Sequence, residues 1–307
     1  MKMTRSISTL SLLLSTSCSE VLPTLETATL DFDQVSVLPL LEGQTPVVHV
    51  AVAGVDGGVT KDIAMLLDSG SALTIMTESA ARRAGLEPRE FPESWKTIDS
   101  GGSEVALTHY ARMSRFAVGD LEIRDSFVAL HESEVLLTQG LDGIIGQDVL
   151  GRIAWLGDME RGRVHLIPPG VDIATHLATE QTLVGDWVYD DLDFRPCPFL
   201  RLEVGEAADR GLEIEVDTGA TSTSFPGAAI DALGLESIGQ SERRGLGSRF
   251  QADEYRLEAL NLYGLQIGLT VSRSKLDYGL FGMDVLSDLV FVLDAPNRQI
   301  WLHHRAD

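Results

Sequence analysis

IEVDTGA, Ile214 to Ala220, is a strand-like run that stops at a carboxylate, followed at once by a hydroxyl and a glycine. Alone it says little, because Asp and Gly are ordinary turn residues at a strand end. It has a counterpart 149 residues earlier in IAMLLDSGSAL, Ile63 to Leu73, where Asp68, Ser69 and Gly70 match Asp217, Thr218 and Gly219. Internal duplication decides architecture, and here the match extends outward from the two loops. PVVHVAVAG (Pro46–Gly54) precedes the first loop and PFLRLEVGE (Pro198–Glu206) the second. ESAARRAGL (Glu78–Leu86) and GAAIDALGL (Gly227–Leu235) follow, each an alanine-rich helical stretch stopped by Gly85 or Gly234. Next come GLDGIIGQDVLGRIAWL (Gly140–Leu156) and DYGLFGMDVLSDLVFVL (Asp277–Leu293), which share Gly-x-Asp-Val-Leu at Gly146–Leu150 and Gly282–Leu286. A turn and a last strand, ERGRVHLI or PNRQIWLH, close each half.

Five features in one order make chance an untenable explanation. The spacing from carboxylate to Gly-x-Asp-Val-Leu is 78 residues in the first half and 65 in the second, so the first carries 13 extra residues in its middle loops. Each half reads as many short strands with glycine turns and one or two short helices. The expected organisation is a signal over 1–18, a tether and edge strand over 19–45, lobes over 46–170 and 198–307, and a connector over 171–197.

Composition bounds the function. The 307 residues are 44% hydrophobic and 23% charged, which is globular and long enough for two cores. A formal charge of −22 excludes a nucleic-acid backbone as partner, since phosphate binding needs a basic face. Past the N-terminus no apolar run is long enough to span a bilayer. The start, MKMTRSISTLSLLLSTSCSE, has Lys2 and Arg5, an apolar stretch from Ile7 to Leu14, and small residues before Cys18. It reads as an export signal. It also resembles a bacterial lipoprotein cleavage site, which makes Cys18 the candidate lipid anchor and the envelope the expected location. Cys18 and Cys197 are the only cysteines: either Cys18 is acylated and Cys197 is a packing residue, or the two are available for a disulfide. Two cysteines exclude a thiolate zinc cluster, and the seven histidines show no HExxH spacing, so neither metal nor cofactor is expected. His303 and His304 read as a solvated tail.

The duplicated Asp-Ser/Thr-Gly loops resemble those of the aspartic peptidases, in a bilobal pepsin-like arrangement built from two retropepsin-like halves. The resemblance covers residues 46 to 305. It implies a mainly all-β fold of two related acid-protease-type barrel lobes with short helices, a pseudo-twofold axis and a cleft between lobes. In that family an apolar-apolar-Gly segment braces each catalytic loop, and the matching segments are Ile144-Ile145-Gly146 and Leu280-Phe281-Gly282. Ser69 and Thr218 are implied to bond across to the opposite lobe, and Gly70 and Gly219 to allow tight turns and close backbone approach. A β-hairpin flap covers the substrate in the family. The candidates are Thr97–Tyr110, with Gly101 and Gly102 at its tip, and Arg243–Tyr255, with Gly245 and Gly247; no tyrosine is assigned to the pepsin flap position.

Physical reasoning stands beside the resemblance. Asp68 ends a stretch apolar on both strand faces, so its backbone is expected between layers, where an unpaired charge would be costly. Glu213 and Glu215 share parity with Asp217, so the second strand carries one polar face. Two adjoining carboxyls share a proton, the aspartic-protease pattern that is itself the standard example of this coupling. Such a pair can take a proton from a bound water and give one to a carbonyl oxygen. Ser71 and Ala220 occupy matching positions three residues after each Asp. A serine donating to its carboxylate would make Asp68 the charged partner and Asp217 the protonated one. The expected activity is an endopeptidase on extended peptides, acting as a monomer on a peptide or protein substrate, with a membrane contact only through the lipid anchor. Fold alone leaves open a catalytically weak peptide binder or envelope scaffold on the same architecture.

Overall fold

The computed structural model describes residues 28–41, 45–176, 183–187, 197–202, 212–262 and 265–304. The signal segment with Cys18, the start of the tether and much of the connector lie outside the described residues. The protein is mainly β. Its strands run β1 (Thr29–Asp31), β2 (Ser36–Pro39), β3 (Val47–Ala53), β4 (Val59–Leu67) and β5 (Ile75–Met76), then helix α1 (Glu78–Arg83). The chain continues through β6 (Pro88–Ile98), β7 (Glu104–Val118), β8 (Leu121–Leu130), α2 (Glu134–Thr138), β9 (Gly143–Ile145), α3 (Gln147–Leu150), β10 (Ala154–Asp158) and β11 (Arg163–Ile167). The second half holds β12 (Leu183–Asp186), β13 (Phe199–Leu202), β14 (Leu212–Val216), β15 (Ser224–Pro226), α4 (Gly227–Ala232), β16 (Ser237–Arg244), β17 (Arg249–Leu262), β18 (Leu265–Ser274), β19 (Gly279–Phe281), α5 (Met283–Leu286), β20 (Leu289–Asp294) and β21 (Gln299–His304).

Two sheets carry the same pairing order. The first runs β8-β5-β9-β4-β3, closed by β7 and β6, and the second runs β18-β15-β19-β14-β13 with β17 and β16 beyond β18. In both, the strand leading to the Asp loop lies parallel to the short apolar strand of the brace: Leu66↔Ile144 on β4 and β9, Glu215↔Leu280 on β14 and β19. The lengths differ where the spacing required it. Fifteen residues separate Ala129 from Ile144, against eight between the matching Ser272 and Leu280, and helix α2 fills the difference. The remaining extra residues lie between β5 and β8, the stretch that holds the β6–β7 hairpin.

A third sheet, β12-β21-β20-β10-β11-β2, joins the halves through the antiparallel pair β10–β20, with Leu156 opposite Val292. Nearby, Trp155 meets Phe291 edge-on, ring centroids 5.2 Å apart. Gly157 is required here, since a Cβ would stand 2.3 Å from the Phe291 ring. His303, expected in a solvated tail, is instead 3% exposed near the end of β21, because pairing with Val290 draws it into this sheet. Strand β4 shows why its run is apolar on both sides: Ile63, Met65 and Leu67 enter the main core while Leu66 enters a second cluster with Ile75 and Ile144. The five α-helices are four to six residues long among the described residues, and none is long and apolar enough to cross a membrane. Thr77 caps α1 through its hydroxyl, and Gly85 and Gly234 take the positive φ (67° and 60°) at which the helical turns α1 and α4 stop.

Candidate active site

Each Asp loop leaves its strand on a backbone bond to its brace. Asp68 N–H donates to Ile145 O at 3.0 Å and Asp217 N–H to Phe281 O at 3.1 Å. The loops then grip each other reciprocally. Ser69 donates its hydroxyl to Val216 O at 2.5 Å, and Thr218 donates its own to Leu67 O at 2.7 Å. The two amides complete the figure, Ser69 N–H to Thr218 Oγ1 and Thr218 N–H to Ser69 Oγ, both at 3.0 Å. Ser69 and Thr218 are fully buried, so each lost bond would strand a polar group at a cost of about 1–3 kcal/mol.

That grip sets the two carboxyls side by side, within hydrogen-bonding reach of one another. Gly70 and Gly219 are pressed against the opposite carboxyl. A Cβ on Gly70 would stand 2.5 Å from Asp217 Cγ, and one on Gly219 2.5 Å from Asp68 Cγ. Neither glycine has a positive φ, so close approach, not backbone conformation, requires them.

Burial pushes both carboxyls above the usual range, and the neighbouring Asp217 pushes Asp68 further. Amides oppose that rise at both groups: Asp217 Oδ1 accepts Gly219 N–H at 2.9 Å and Ala220 N–H at 3.1 Å. Asp68 Oδ1 accepts Gly70 N–H at 3.0 Å, and the Ser71 amide acts on the same carboxyl. The two carboxyls therefore titrate as one unit that holds a shared proton. The Ser71 hydroxyl, expected to donate to Asp68, is instead spent on Leu73 O at 2.8 Å and does not reach the carboxyl. The pair can hold a water on its charged member and protonate an oxygen from its neutral one.

The braces contain a buried network that the motif reading did not assign. Thr74 Oγ1 donates to Asp148 Oδ1 at 2.6 Å and accepts Gly146 N–H at 3.2 Å. In the second lobe Thr223 Oγ1 donates to Asp284 Oδ1 at 2.7 Å and accepts Gly282 N–H at 3.2 Å. Gly146 and Gly282 are needed for this closeness, with a Cβ falling 2.4 Å from Leu73 C and 2.6 Å from Ser222 C. The signal was present as the Asp of each Gly-x-Asp-Val-Leu and a Thr six residues after each loop Asp. Gln147 adds a one-sided prop, donating through Nε2 to Ser69 O at 2.7 Å, where Met283 stands in the second lobe.

Burial raises the Asp148 carboxyl to about 6, against the opposing Thr74 bond. A raised folded value stabilises the protein fully below the unfolded value of 3.8, and that contribution fades as pH rises through about 6. Thermal unfolding should therefore show the midpoint falling between about pH 4 and 6. Asp148→Asn is expected to flatten that slope.

The two glycine-tipped hairpins, β6–β7 and β16–β17, meet at their tips. Asp99, 6% exposed, joins them with both oxygens. Its Oδ1 accepts Gly101 N–H at 3.0 Å and Ser103 N–H at 2.9 Å within its own hairpin. Its Oδ2 accepts the Ser248 hydroxyl at 2.6 Å and Gly247 N–H at 3.2 Å from the other. Gly101, Gly245 and Gly247 sit at close contacts here, facing Ser248, Asp99 and Val105, while Gly102 takes the left-handed φ of 74° that the turn needs. Helix α2 supports the junction: Ser133 donates to Leu246 O at 2.7 Å, and Glu134 pairs with Arg249. Asp99→Ala should speed amide exchange at Gly101, Ser103 and Gly247 by at least about tenfold, since charge-assisted bonds of about 1.5–3 kcal/mol hold them. The barrel strands should keep their protection.

Between the loops and the hairpins lies a cleft of about 550 Å³, lined by Asp68, Gly70, Asp217 and Gly219 below and by both hairpin ends above. Behind it Cys197 is buried and free; burial and the adjacent Glu215 carboxylate push its thiol up. Glu215, expected on a polar face, is 4% exposed against this thiol, and Glu213 pairs with Arg201 at 2.7 Å. No group of residues that could hold a metal ion occurs among the described residues. Among curated proteins none matches this chain. Residues 48–149, the segment that carries Asp68 together with its brace and the first hairpin, match the family model described as Aspartyl protease, and over that segment the chain is similar to aspartyl proteases.

Proposed function

We propose that this protein is an aspartic-type endopeptidase of the bilobal pepsin/retropepsin kind, with Asp68 and Asp217 as its catalytic pair. A water held by the ionised Asp217 loses its proton to that carboxylate as it attacks the peptide carbonyl. Asp68 gives its proton to the carbonyl oxygen, and a tetrahedral intermediate forms with no covalent bond to the enzyme. On collapse, the proton gained by Asp217 passes to the leaving nitrogen while Asp68 recovers its own, which restores the pair. The observation that carries the reading is the meeting of two carboxyls from matched loops at the floor of one cleft.

The hairpins are its flaps, and their contact requires them to part before an extended peptide enters. One chain supplies both aspartates, so the monomer is the active unit, exported and held at the membrane by a lipid on Cys18. Incubating the protein with denatured casein and a peptide library between about pH 3 and 7 tests the reading. Cleavage of internal bonds, blocked by a hydroxyl-bearing mimic of the tetrahedral intermediate, is the expected result. Peptide binding without turnover would replace the enzyme by a binding module.

A further inference from the structure

The two lobes match in backbone but not in the chemistry they turn to the cleft. In the first lobe Leu66, Ile75 and Ala129 lie in one apolar cluster with Ile144. The register places Glu215, Ser224 and Ser272 at the corresponding positions of the second lobe, around Leu280. Ile75 and Ile144 line the cleft on one side, Ser224 and Ser272 on the other. The insertion α2 extends the apolar side with Val135 and Leu136.

Ser224 is 8% exposed, faces the cleft, and its hydroxyl makes no hydrogen bond among the described residues. Ser272 donates only a long bond, 3.4 Å, to Thr223 O. An apolar side chain seated against them would bury the Ser224 hydroxyl unpaired, which is unfavourable. The arginines that line this side each face a carboxylate, Arg244 through a long bond of 3.4 Å to Glu242. Arg243 donates to Glu254 at 2.9 Å and to Ser222, and Arg273 donates to Asp231 at 2.6 Å and to the Tyr255 hydroxyl at 3.2 Å. An anionic substrate side chain must therefore compete with carboxylates already placed on these arginines, whereas a neutral hydrogen-bonding one finds a waiting hydroxyl.

We propose that the cleft is two-sided. The first-lobe half takes an apolar side chain, and the second-lobe half takes an uncharged hydrogen-bonding side chain, such as Ser, Thr, Asn or Gln. Successive side chains of an extended peptide point to opposite sides, so neighbours across the reacting bond address different lobes. The inference rests on the peptidase reading for its substrate, but the preference is measurable without turnover.

The test uses three extended peptide sets that differ only at the two central residues: apolar–polar in both orders, apolar–apolar, and apolar–charged. Cleavage efficiency is measured by kcat/KM, and binding by calorimetry on analogues whose central carbonyl is reduced to a methylene. The better apolar–polar order should exceed the other sets by roughly tenfold in either readout, the scale of one hydrogen bond to a waiting polar group. Ser224→Val should bring the ratio to apolar–apolar near one, and the milder Ser224→Ala should move it the same way if the valine variant folds poorly. Equal ratios in the wild type, or charged peptides bound as well as polar ones, overturn the two-sided cleft. Biased binding with no cleavage of any peptide would instead sink the peptidase reading and leave the two sides standing.

Discussion

Asp217→Asn and Asp68→Asn are each expected to lower peptide hydrolysis by about 10²- to 10⁴-fold, while leaving a folded protein whose melting temperature is no lower than the wild type's. The size of the loss follows from removing one partner of a general acid–base pair. The retained stability follows from the environment. Burial pushes both carboxyls up, so the charged form is unfavourable there, and an amide removes that charge. An asparagine at 217 keeps an oxygen to accept the Gly219 and Ala220 amides, and one at 68 keeps an acceptor for Gly70. Activity assayed beside a thermal melt checks both halves of the expectation. Activity within tenfold of wild type in either variant would remove the pair from the reaction.

The pH profile carries a further sign. With one proton shared, the proposed turnover requires one carboxyl ionised and the other protonated, so the rate should rise as the pair loses its first proton and fall as it loses its second. Because both values are raised, the falling limb should lie well above that of an ordinary carboxylate.

Gly219→Ala is the second substitution with a large expected effect, and it touches no titrating atom. The new methyl would stand 2.5 Å from Asp68 Cγ and 2.6 Å from its Oδ2, inside any tolerable contact. The loop cannot retreat cheaply, since Thr218 is tied on both sides to Ser69 and the first strand. Asp68 must turn instead, and misplacement of a catalytic group by about 1 Å can cost about 10²-fold. A fall in kcat of at least that size is expected, with a stability cost of about 1–3 kcal/mol for overpacking. Gly70→Ala makes the mirror-image intrusion on Asp217 and should behave alike. Near-normal kcat in both would mean that the carboxyls do not act together.

Much of this was legible because it is written twice. A carboxylate at a strand end is ambiguous once, but repetition with its brace and helix fixes which copy faces which. The segments Ile144–Gly146 and Leu280–Gly282 stood out because each recurs at the same place in its half, and each pairs in parallel with the strand leading to an Asp loop. The Thr74–Asp148 and Thr223–Asp284 bonds escaped because their partners stand 74 and 61 residues apart. The role of Ser71 was misjudged for a related reason. Residue type says that a hydroxyl can donate, but only the turn geometry sends it to Leu73.

Sequence alone determined the doubled loop, the two carboxylates, the hydroxyl and glycine after each, and the helix stops, since these depend on residue type and local spacing. Tertiary structure decided that the two carboxyls meet, because that turns on the reciprocal bonds of Ser69 and Thr218 between the loops. It also decided that one buried Asp99 joins two hairpins distant in the chain, and that the matched positions 75 and 224 turn an isoleucine to one side of the cleft and a serine to the other. Those outcomes depend on distances of a few tenths of an ångström between segments that only folding brings together.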